Sequence, residues 1–431
     1  MGNINSILQI ITQLSEAEVE LQRINQQHPN PAQLKDKASK VREILTDVLL
    51  RGDDSLLEYS PNLQVSGSQF DAAYQQISQE FLKTVRATIE NLTKFYQLKI
   101  PKSWVHFAEE QVIIGKRYTP LKRIGIHIDK ETKKTLTMLL MTLVCANVAQ
   151  VDEKVLFLSP AIDERSIARL LVAAQEAGVS EVYRLEPIQS LAAMAYGTTI
   201  ISKVDLIMTS GDLELTLAQQ MISGQVRIES YFNQANLMIF ADGKADPLHL
   251  ALDSLFQLED DSKVIFISQS LELAHSIAAE VTKRLQDDIY LAKTLVYRGQ
   301  AIPIIVVDSL DIAIKLINEF APQSLQLAIK DPWSILNKID NAGTIFMGYN
   351  TPQIVGDYFG GSAINLLGTG VARYASALSV ETFLKQSNVI EYSTKALKKL
   401  VPSLEILSQT GELTGEIDSI RARLEGHEKE L

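Results

Sequence analysis

Two short stretches of the chain carry side chains that could ligate a cation or hold a polar substrate. Residues 256–261 read Phe-Gln-Leu-Glu-Asp-Asp, and residues 355–358 read Val-Gly-Asp-Tyr. Carboxylate and amide oxygens suit hard cations, whereas zinc prefers nitrogen and sulfur ligands. The histidines are scattered, with no two of them three or four residues apart: His28, His106, His127, His249, His275 and His427. The sequence therefore offers oxygen ligands without the histidine pairs that zinc and acid–base sites use.

The charge balance and the cysteine count exclude several classes of protein. The 431 residues carry a formal net charge of −11, which disfavours nucleic acid and anionic membranes as partners because both attract a basic face. The single cysteine, Cys145, excludes a disulfide framework and is expected to be a buried hydrophobe. The apolar stretch 136–151 is too short to span a membrane and predicts a buried helix. We expect a cytoplasmic protein that binds neither nucleic acid nor membrane.

Hydrophobic periodicity divides the chain into three regions. Residues 1 to about 100 show helical spacing and predict helices over 4–24, 31–50 and 70–96. From about 120 to 350, predicted strands alternate with helices such as 165–176, 213–222, 248–257 and 271–285; the strands are 123–128, 154–158, 181–185, 204–208, 236–240, 263–267, 303–307 and 344–347. This alternation is typical of a doubly wound α/β fold with mostly parallel strands, enough for two sheets. After about 385 the pattern predicts a charged helical tail, either a solvated helix or a dimerisation arm.

The glycine-rich phosphate-binding motifs of such folds are missing. No G-x-G-x-x-G follows a predicted strand, and there is no Walker A motif. The nearest match, Gly368-Thr369-Gly370, lacks the third glycine and is expected to be a turn.

Seven ordered stretches match one known family in sequence and spacing. They are residues 115–125, 177–184, 189–198, 331–333, 341–348, 351–358 and 372–380. Through them the chain resembles the histidinol dehydrogenases across nearly its whole length. The resemblance implies two incomplete Rossmann-like domains with parallel sheets, a helical N-terminal region and a C-terminal arm exchanged within a homodimer. It places one domain at 1–120 with 236–385, the second at 121–235 and the arm at 386–431. The family oxidises the amino alcohol histidinol to histidine with NAD, and one zinc ion holds the substrate.

The resemblance also assigns the positions of the zinc ligands. Gln257 and Asp357 match a glutamine and an aspartate of the family, whereas Asp260 and Glu416 stand where the family has histidines. This all-oxygen set suits magnesium, calcium or manganese better than zinc. The reading that we favour is that Asp260 and Glu416 are solvated and that no metal binds.

The family's catalytic pair, an adjacent glutamate and histidine, falls on Gln323 and Ser324. Neither side chain titrates near neutral pH, so neither can relay a proton there. A substrate-binding Ser-Glu of the family falls on Ala235 and Asn236. The sequence therefore predicts that this acid–base chemistry is lost.

Of three family positions that contact NAD, only one keeps the family's residue in this chain. Gln189 matches a glutamine of the family, whereas Thr135 replaces a tyrosine and Asp212 replaces an asparagine. The stretch 129–135 also lacks the paired glycines that let a dinucleotide approach the backbone closely. The charge of Asp212 is expected to repel the pyrophosphate or a ribose oxygen.

Three functions follow from these positions. The favoured one is a homodimeric, non-catalytic homologue with a binding, scaffold or regulatory role and an unidentified small-molecule ligand. The alternatives are an enzyme of altered chemistry, with or without an oxygen-ligated cation, and a divergent but active NAD-dependent histidinol dehydrogenase.

Overall fold

The computed structural model describes residues 7–25, 31–130, 135–209, 211–230, 236–258, 262–299, 301–358, 370–408 and 414–427. The strands in these ranges are β1 (Leu8–Ile11), β2 (Trp104–Ala108), β3 (Val112–Pro120), β4 (Arg123–Ile128), β5 (Glu153–Leu158), β6 (Glu181–Arg184), β7 (Leu206–Thr209), β8 (Arg227–Ser230), β9 (Leu237–Ala241), β10 (Val264–Ser268), β11 (Ile302–Val306), β12 (Ser324–Ala328), β13 (Thr344–Met347) and β14 (Leu384–Glu391).

The α-helices are α1 (Leu14–Asn25), α2 (Pro31–Arg51), α3 (Asp53–Tyr59), α4 (Gly67–Gln76), α5 (Gln79–Gln97), α6 (Thr135–Val148), α7 (Glu164–Glu176), α8 (Pro187–Tyr196), α9 (Leu213–Ile222), α10 (Pro247–Leu258), α11 (Leu271–Asp287), α12 (Ile289–Tyr297), α13 (Leu310–Phe320), α14 (Gln353–Tyr358), α15 (Thr394–Ser408) and α16 (Thr414–His427).

Two sheets are parallel throughout. The six-stranded sheet has the order β1-β11-β10-β9-β12-β13, and the five-stranded sheet has the order β6-β5-β4-β7-β8. From β9 in the six-stranded sheet and from β4 in the five-stranded sheet, the chain moves outward on one side and then continues on the other side, and β1 adds an edge strand next to β11. The order therefore reverses between β9 and β12 and between β4 and β7, as in doubly wound Rossmann-like sheets. The α/β fold predicted from the sequence is confirmed.

Helices cover both faces of these sheets. Apolar side chains of α10, α11 and α12 bury one face of the six-stranded sheet, and those of α1 and α13 bury the other. On the five-stranded sheet, α8 and α9 share a core with α2. Helices α4 and α5 pack against α7, and α5 also packs against α6. The strands are apolar without alternation because both faces are buried.

Cys145 lies in α6 and is fully buried, as predicted. Burial raises the pKa of its thiol. Among the helices that the structure describes, none combines the length and the apolarity that a membrane span requires.

The chain divides into two compact units. One comprises Met1–Leu98 and Leu121–Phe383, and the other comprises Lys99–Pro120 and Leu384–Leu431. The second unit contains the antiparallel sheet β14-β3-β2 and the helices α15 and α16. Within it, Glu110 forms ion pairs with Lys395 at 2.7 Å and with Lys399 at 2.5 Å, joining the turn after β2 to α15. The predicted boundaries 1–120 with 236–385, 121–235 and 386–431 stay a prediction.

Three predicted elements need correction. The helix predicted over 4–24 is wrong at its start, because Leu8 pairs in parallel with Ile302 and begins β1. The helix predicted over 70–96 is two helices, α4 and α5, and Ser78 caps the second by accepting a hydrogen bond from the Phe81 amide at 3.1 Å. The tail after 385 begins as a strand, β14, paired antiparallel with β3. The first and third errors reflect a partner strand distant in sequence, which local periodicity does not reveal. The second reflects a helix cap inside a continuous apolar pattern.

Candidate functional site

The positions of the family's catalytic pair lie at the amino-terminal edge of the six-stranded sheet. The Oε1 atom of Gln323 accepts a hydrogen bond from the backbone amide of Asn236 at 2.7 Å. The Ser324 amide donates to the Asn236 carbonyl at 3.1 Å, and Ser324 begins β12 next to β9. The structure thus brings together Gln323, Ser324 and Asn236, which the sequence assigned to the same site.

Neither Gln323 nor Ser324 carries a group that can exchange protons near neutral pH. Gln323 is 2% exposed and Ser324 is fully buried. The amide of Gln323 is neutral, and its oxygen is occupied by the Asn236 N–H. A serine hydroxyl ionises far above neutrality, so the pair can hold a polar group but cannot act as a general base.

The zinc positions are only partly described. Gln257 is fully buried in the last turn of α10. Asp260 lies outside the described residues. Asp357 lies in α14 and Glu416 in α16, but the structure does not describe their side chains. In the described part of the chain, no three His, Cys, Asp or Glu residues are grouped so that they could hold a metal ion. Convergence of the four positions stays a prediction, and an all-oxygen donor set with an amide does not fit zinc.

A partly buried polar pair, one helical turn before Gln257, was missed by sequence reasoning. The Nε2 atom of Gln326 on β12 donates to Oδ2 of Asp253 on α10 at 2.9 Å. Burial raises the pKa of the Asp253 carboxyl, although the Gln326 bond and the charge of His249 oppose the shift. Asp253 precedes Gln257 by four residues, so both lie on one face of α10. That spacing, in a helix predicted over 248–257, could have placed Asp253 near Gln257, but it could not have indicated the bond to Gln326.

A second site lies at the carboxyl-terminal edge of the five-stranded sheet. A cleft of about 540 Å³ opens there, with polar walls from Asp129, Glu186, Gln189, Asp212 and Glu214. Asp129 follows β4 and Asp212 follows β7, the two strands between which the strand order reverses. Clefts at such reversal points are where open α/β sheets bind their ligands.

Two of the three predicted NAD positions lie in this cleft. Gln189, in the first turn of α8, and Asp212, just before α9, both line it. Thr135 is the buried first residue of α6 and is not one of the residues that line the described cleft.

The cleft does not fit an anionic dinucleotide. Oδ1 of Asp212 accepts hydrogen bonds from the amides of Glu214 at 2.9 Å and Leu215 at 3.2 Å, so the N-terminus of α9 already holds a negative charge. A helix N-terminus with free amides would be the expected phosphate site. Burial raises the pKa of Asp129, and the charges of Asp212 and Glu186 raise it further, whereas the charge of Lys130 opposes the shift. A pyrophosphate placed here would face several carboxylates.

The strand orders define an α/β protein of the doubly wound, Rossmann-like class. The model of the histidinol dehydrogenase family matches residues 28–424. A protein of Nostoc sp. named histidinol dehydrogenase 2 is 40% identical over 437 residues, covering 98% of this chain and 100% of that protein. A histidinol dehydrogenase of Synechococcus sp. is also 40% identical, with coverage of 97% and 99%.

A solved structure supports the same assignment. The histidinol dehydrogenase of Elizabethkingia anophelis superposes with a TM-score of 0.88 at 25% identity, covering 98% of this chain and 99% of the other. The chain belongs to the histidinol dehydrogenase family, which confirms the resemblance drawn from its sequence.

Proposed function

We propose that this chain is a family member without zinc- and NAD-dependent histidinol oxidation, acting as a cytoplasmic binding or regulatory protein. The observation that carries the proposal is the Gln323–Ser324 pair at the amino-terminal edge of the six-stranded sheet. The resemblance puts a glutamate and a histidine there, and this chain has two groups that do not titrate near neutrality.

The loss is large when it is expressed as a rate. Removing one general acid or base costs about 10²–10⁴-fold in rate, and both members of the pair are replaced here. Moreover, the oxygen ligands at the family's zinc positions do not fit zinc, and the cleft at the other sheet does not fit NAD. The three departures act on different parts of one reaction, so no single substitution restores it.

A second candidate, a divergent active histidinol dehydrogenase, is favoured by the comparisons. Proteins with that name are 40% identical to this chain over essentially its full length. An enzyme of altered chemistry using magnesium, calcium or manganese remains the third candidate, supported by the oxygen ligands at the family's zinc positions.

The test is NADH formation, followed by absorbance, with purified protein, histidinol, NAD and zinc. The Synechococcus sp. histidinol dehydrogenase, assayed in parallel, controls the conditions. We expect no NADH above background from this chain. Turnover in the ordinary range for enzymes, about 1–10³ s⁻¹, would establish the second candidate instead.

The proposed homodimer is supported by apolar surface in the second unit. On one face of the sheet β14-β3-β2, Val105 and Phe107 of β2 are 51% and 72% exposed, and Val389 of β14, which is in register with Val105 through Gly115, is 38% exposed. Exposed apolar side chains clustered on one small sheet are typical of a surface that another protein covers. We propose that a second copy of the chain covers this sheet, with residues 386–431 as the exchanged arm.

A further inference from the structure

The cleft at the carboxyl-terminal edge of the five-stranded sheet has an unusual charge distribution for its position in the fold. Two of its four carboxylates already have partners. Glu214 forms an ion pair with Lys37 at 2.9 Å, and Asp212 accepts hydrogen bonds from the Glu214 and Leu215 amides at the start of α9. Within the described residues, Asp129 and Glu186 have no ion-pair partner within 4.0 Å. Two half-buried carboxylates are therefore available to a ligand.

An uncharged side chain in the same cleft also has unused hydrogen-bonding capacity. Gln189 lines the cleft and is only 4% exposed. Its side-chain amide makes no hydrogen bond to any residue that the structure describes. Buried amides are nearly always hydrogen-bonded, so an unpartnered one at the wall of a cleft indicates a ligand or ordered water.

The rest of the cleft wall is apolar. It consists of Ile44 of α2, Tyr59 of α3, Pro187 and Ile188 of α8, and Leu215 of α9. The ring of Tyr59 is exposed, and an aromatic face attracts organic cations through its quadrupole. A bare divalent ion would leave these apolar walls unused, whereas a cation on a hydrocarbon or aromatic body would cover them.

The geometry points to a small organic cation as the ligand of this cleft: a primary amine with an apolar or aromatic body, its ammonium group between Asp129 and Glu186 and its polar edge on Gln189. This inference deepens the proposed function and rests on it, since a cleft that no longer binds NAD is open to another ligand. Charge-assisted hydrogen bonds from the ammonium to the two carboxylates would supply most of the selectivity.

The test is isothermal titration of the full-length protein with 2-phenylethylamine and with 2-phenylethanol, which replaces the ammonium with a hydroxyl. We expect saturable binding of the amine only, weakened about tenfold or more in Asp129→Asn and in Glu186→Gln. Asp308→Asn, at an exposed aspartate outside the cleft, is the matched control and should bind as the wild type does. Thermal melting of each variant shows that it is folded.

Three outcomes would overturn the inference: no binding of the amine, equal binding of the alcohol, or NAD binding that the Asp129 and Glu186 substitutions alter. Failure of the inference is distinguishable from failure of the proposed function, because the NADH assay runs on the same preparations. Amine binding with NADH formation would refute the proposed function, and the inference would fall with it if the Asp129 and Glu186 substitutions also alter NAD binding. Neither amine binding nor NADH formation would refute the inference alone.

Discussion

The side-chain oxygen of Gln323 and the backbone amide of Asn236 form a 2.7 Å hydrogen bond that joins the starts of two neighbouring strands. Ser324 is paired directly with Leu237 in the parallel register of β12 and β9. A position that the family uses for acid–base chemistry is therefore an anchor for strand pairing in this chain.

Gln323→Leu should destabilise the fold, because it removes the acceptor of a buried backbone amide. The expected loss in the free energy of unfolding is about 1–3 kcal/mol. Urea unfolding measures it, with Gln286→Leu on the exposed side of α11 as the control, for which the change should stay within about 0.5 kcal/mol. Equal effects of the two substitutions would show that the bond to Asn236 contributes nothing.

His127 predicts a pH dependence of stability between neutrality and acid. It is fully buried on β4, and burial lowers its pKa to about 3; its Nδ1 atom lies 3.1 Å from Oγ1 of Thr209. The unfolded chain takes up this proton near pH 6.5, so the stability is complete above that pH and is lost as the pH falls toward 3. The loss from pH 7 to 5.5 should be about 1–1.5 kcal/mol.

Urea unfolding at pH 7 and 5.5 checks this prediction. His127→Gln should remove most of the difference between the two pH values, whereas His275→Gln, at an exposed histidine, should retain it. A difference that survives in His127→Gln would assign the pH dependence to other groups.

The ion pair of Glu181 should make the stability of the protein depend on pH in a second, more acidic range. The guanidinium of the largely buried Arg123 donates two 3.0 Å hydrogen bonds to Glu181, and these lower the pKa of the Glu181 carboxyl. A carboxyl with a lowered folded pKa stabilises the protein above its unfolded pKa of about 4.3 and stops doing so as the pH falls below it. Glu181→Gln should therefore make the fall in melting temperature between about pH 5 and 3 less steep than in the wild type. Glu381→Gln, at an exposed glutamate, should leave that profile steep.

The dimer proposal predicts that deletion of residues 392–431, which retains β14, yields a monomer. Light scattering at micromolar concentration should report twice the chain mass for the full-length protein and a single chain mass for the truncated one. A full-length monomer would contradict the proposal, and so would a truncated dimer with an unchanged melting temperature.

Divalent ions should not stabilise the protein. A site filled at one hundred times its Kd would add about 2.7 kcal/mol, so thermal melting with magnesium, calcium or manganese against chelator is a sensitive test. We expect no shift with any of the three ions. A shift that Asp357→Asn abolishes would instead establish an oxygen-ligated site at the family's zinc position.

The sequence predicted the parallel strands well because buried strands are short apolar runs, and 123–128 and 344–347 agree with the structure at both ends. It missed β12, whose first residue Ser324 and central Gln326 interrupt the apolar pattern. It placed Gln189 and Asp212 in one site, but it did not single out Asp129 and Glu186. Both follow predicted strands, and the rule that ligands bind beyond the carboxyl ends of parallel strands would have found them. The Asp253–Gln326 bond joins residues 73 positions apart, which no local pattern indicates.

The cap that Asp212 provides for α9 has a consequence for how this family changes over time. Capping requires only a short side chain with an acceptor oxygen, and asparagine or serine would hold the helix about as well. The fold is therefore nearly indifferent to whether this position is charged. One substitution, Asp212→Asn, would turn a charged cap that repels a dinucleotide into a neutral cap that tolerates it. That change should cost the fold little stability. Ligand preference in this cleft can thus drift or be selected without passing through an unstable protein.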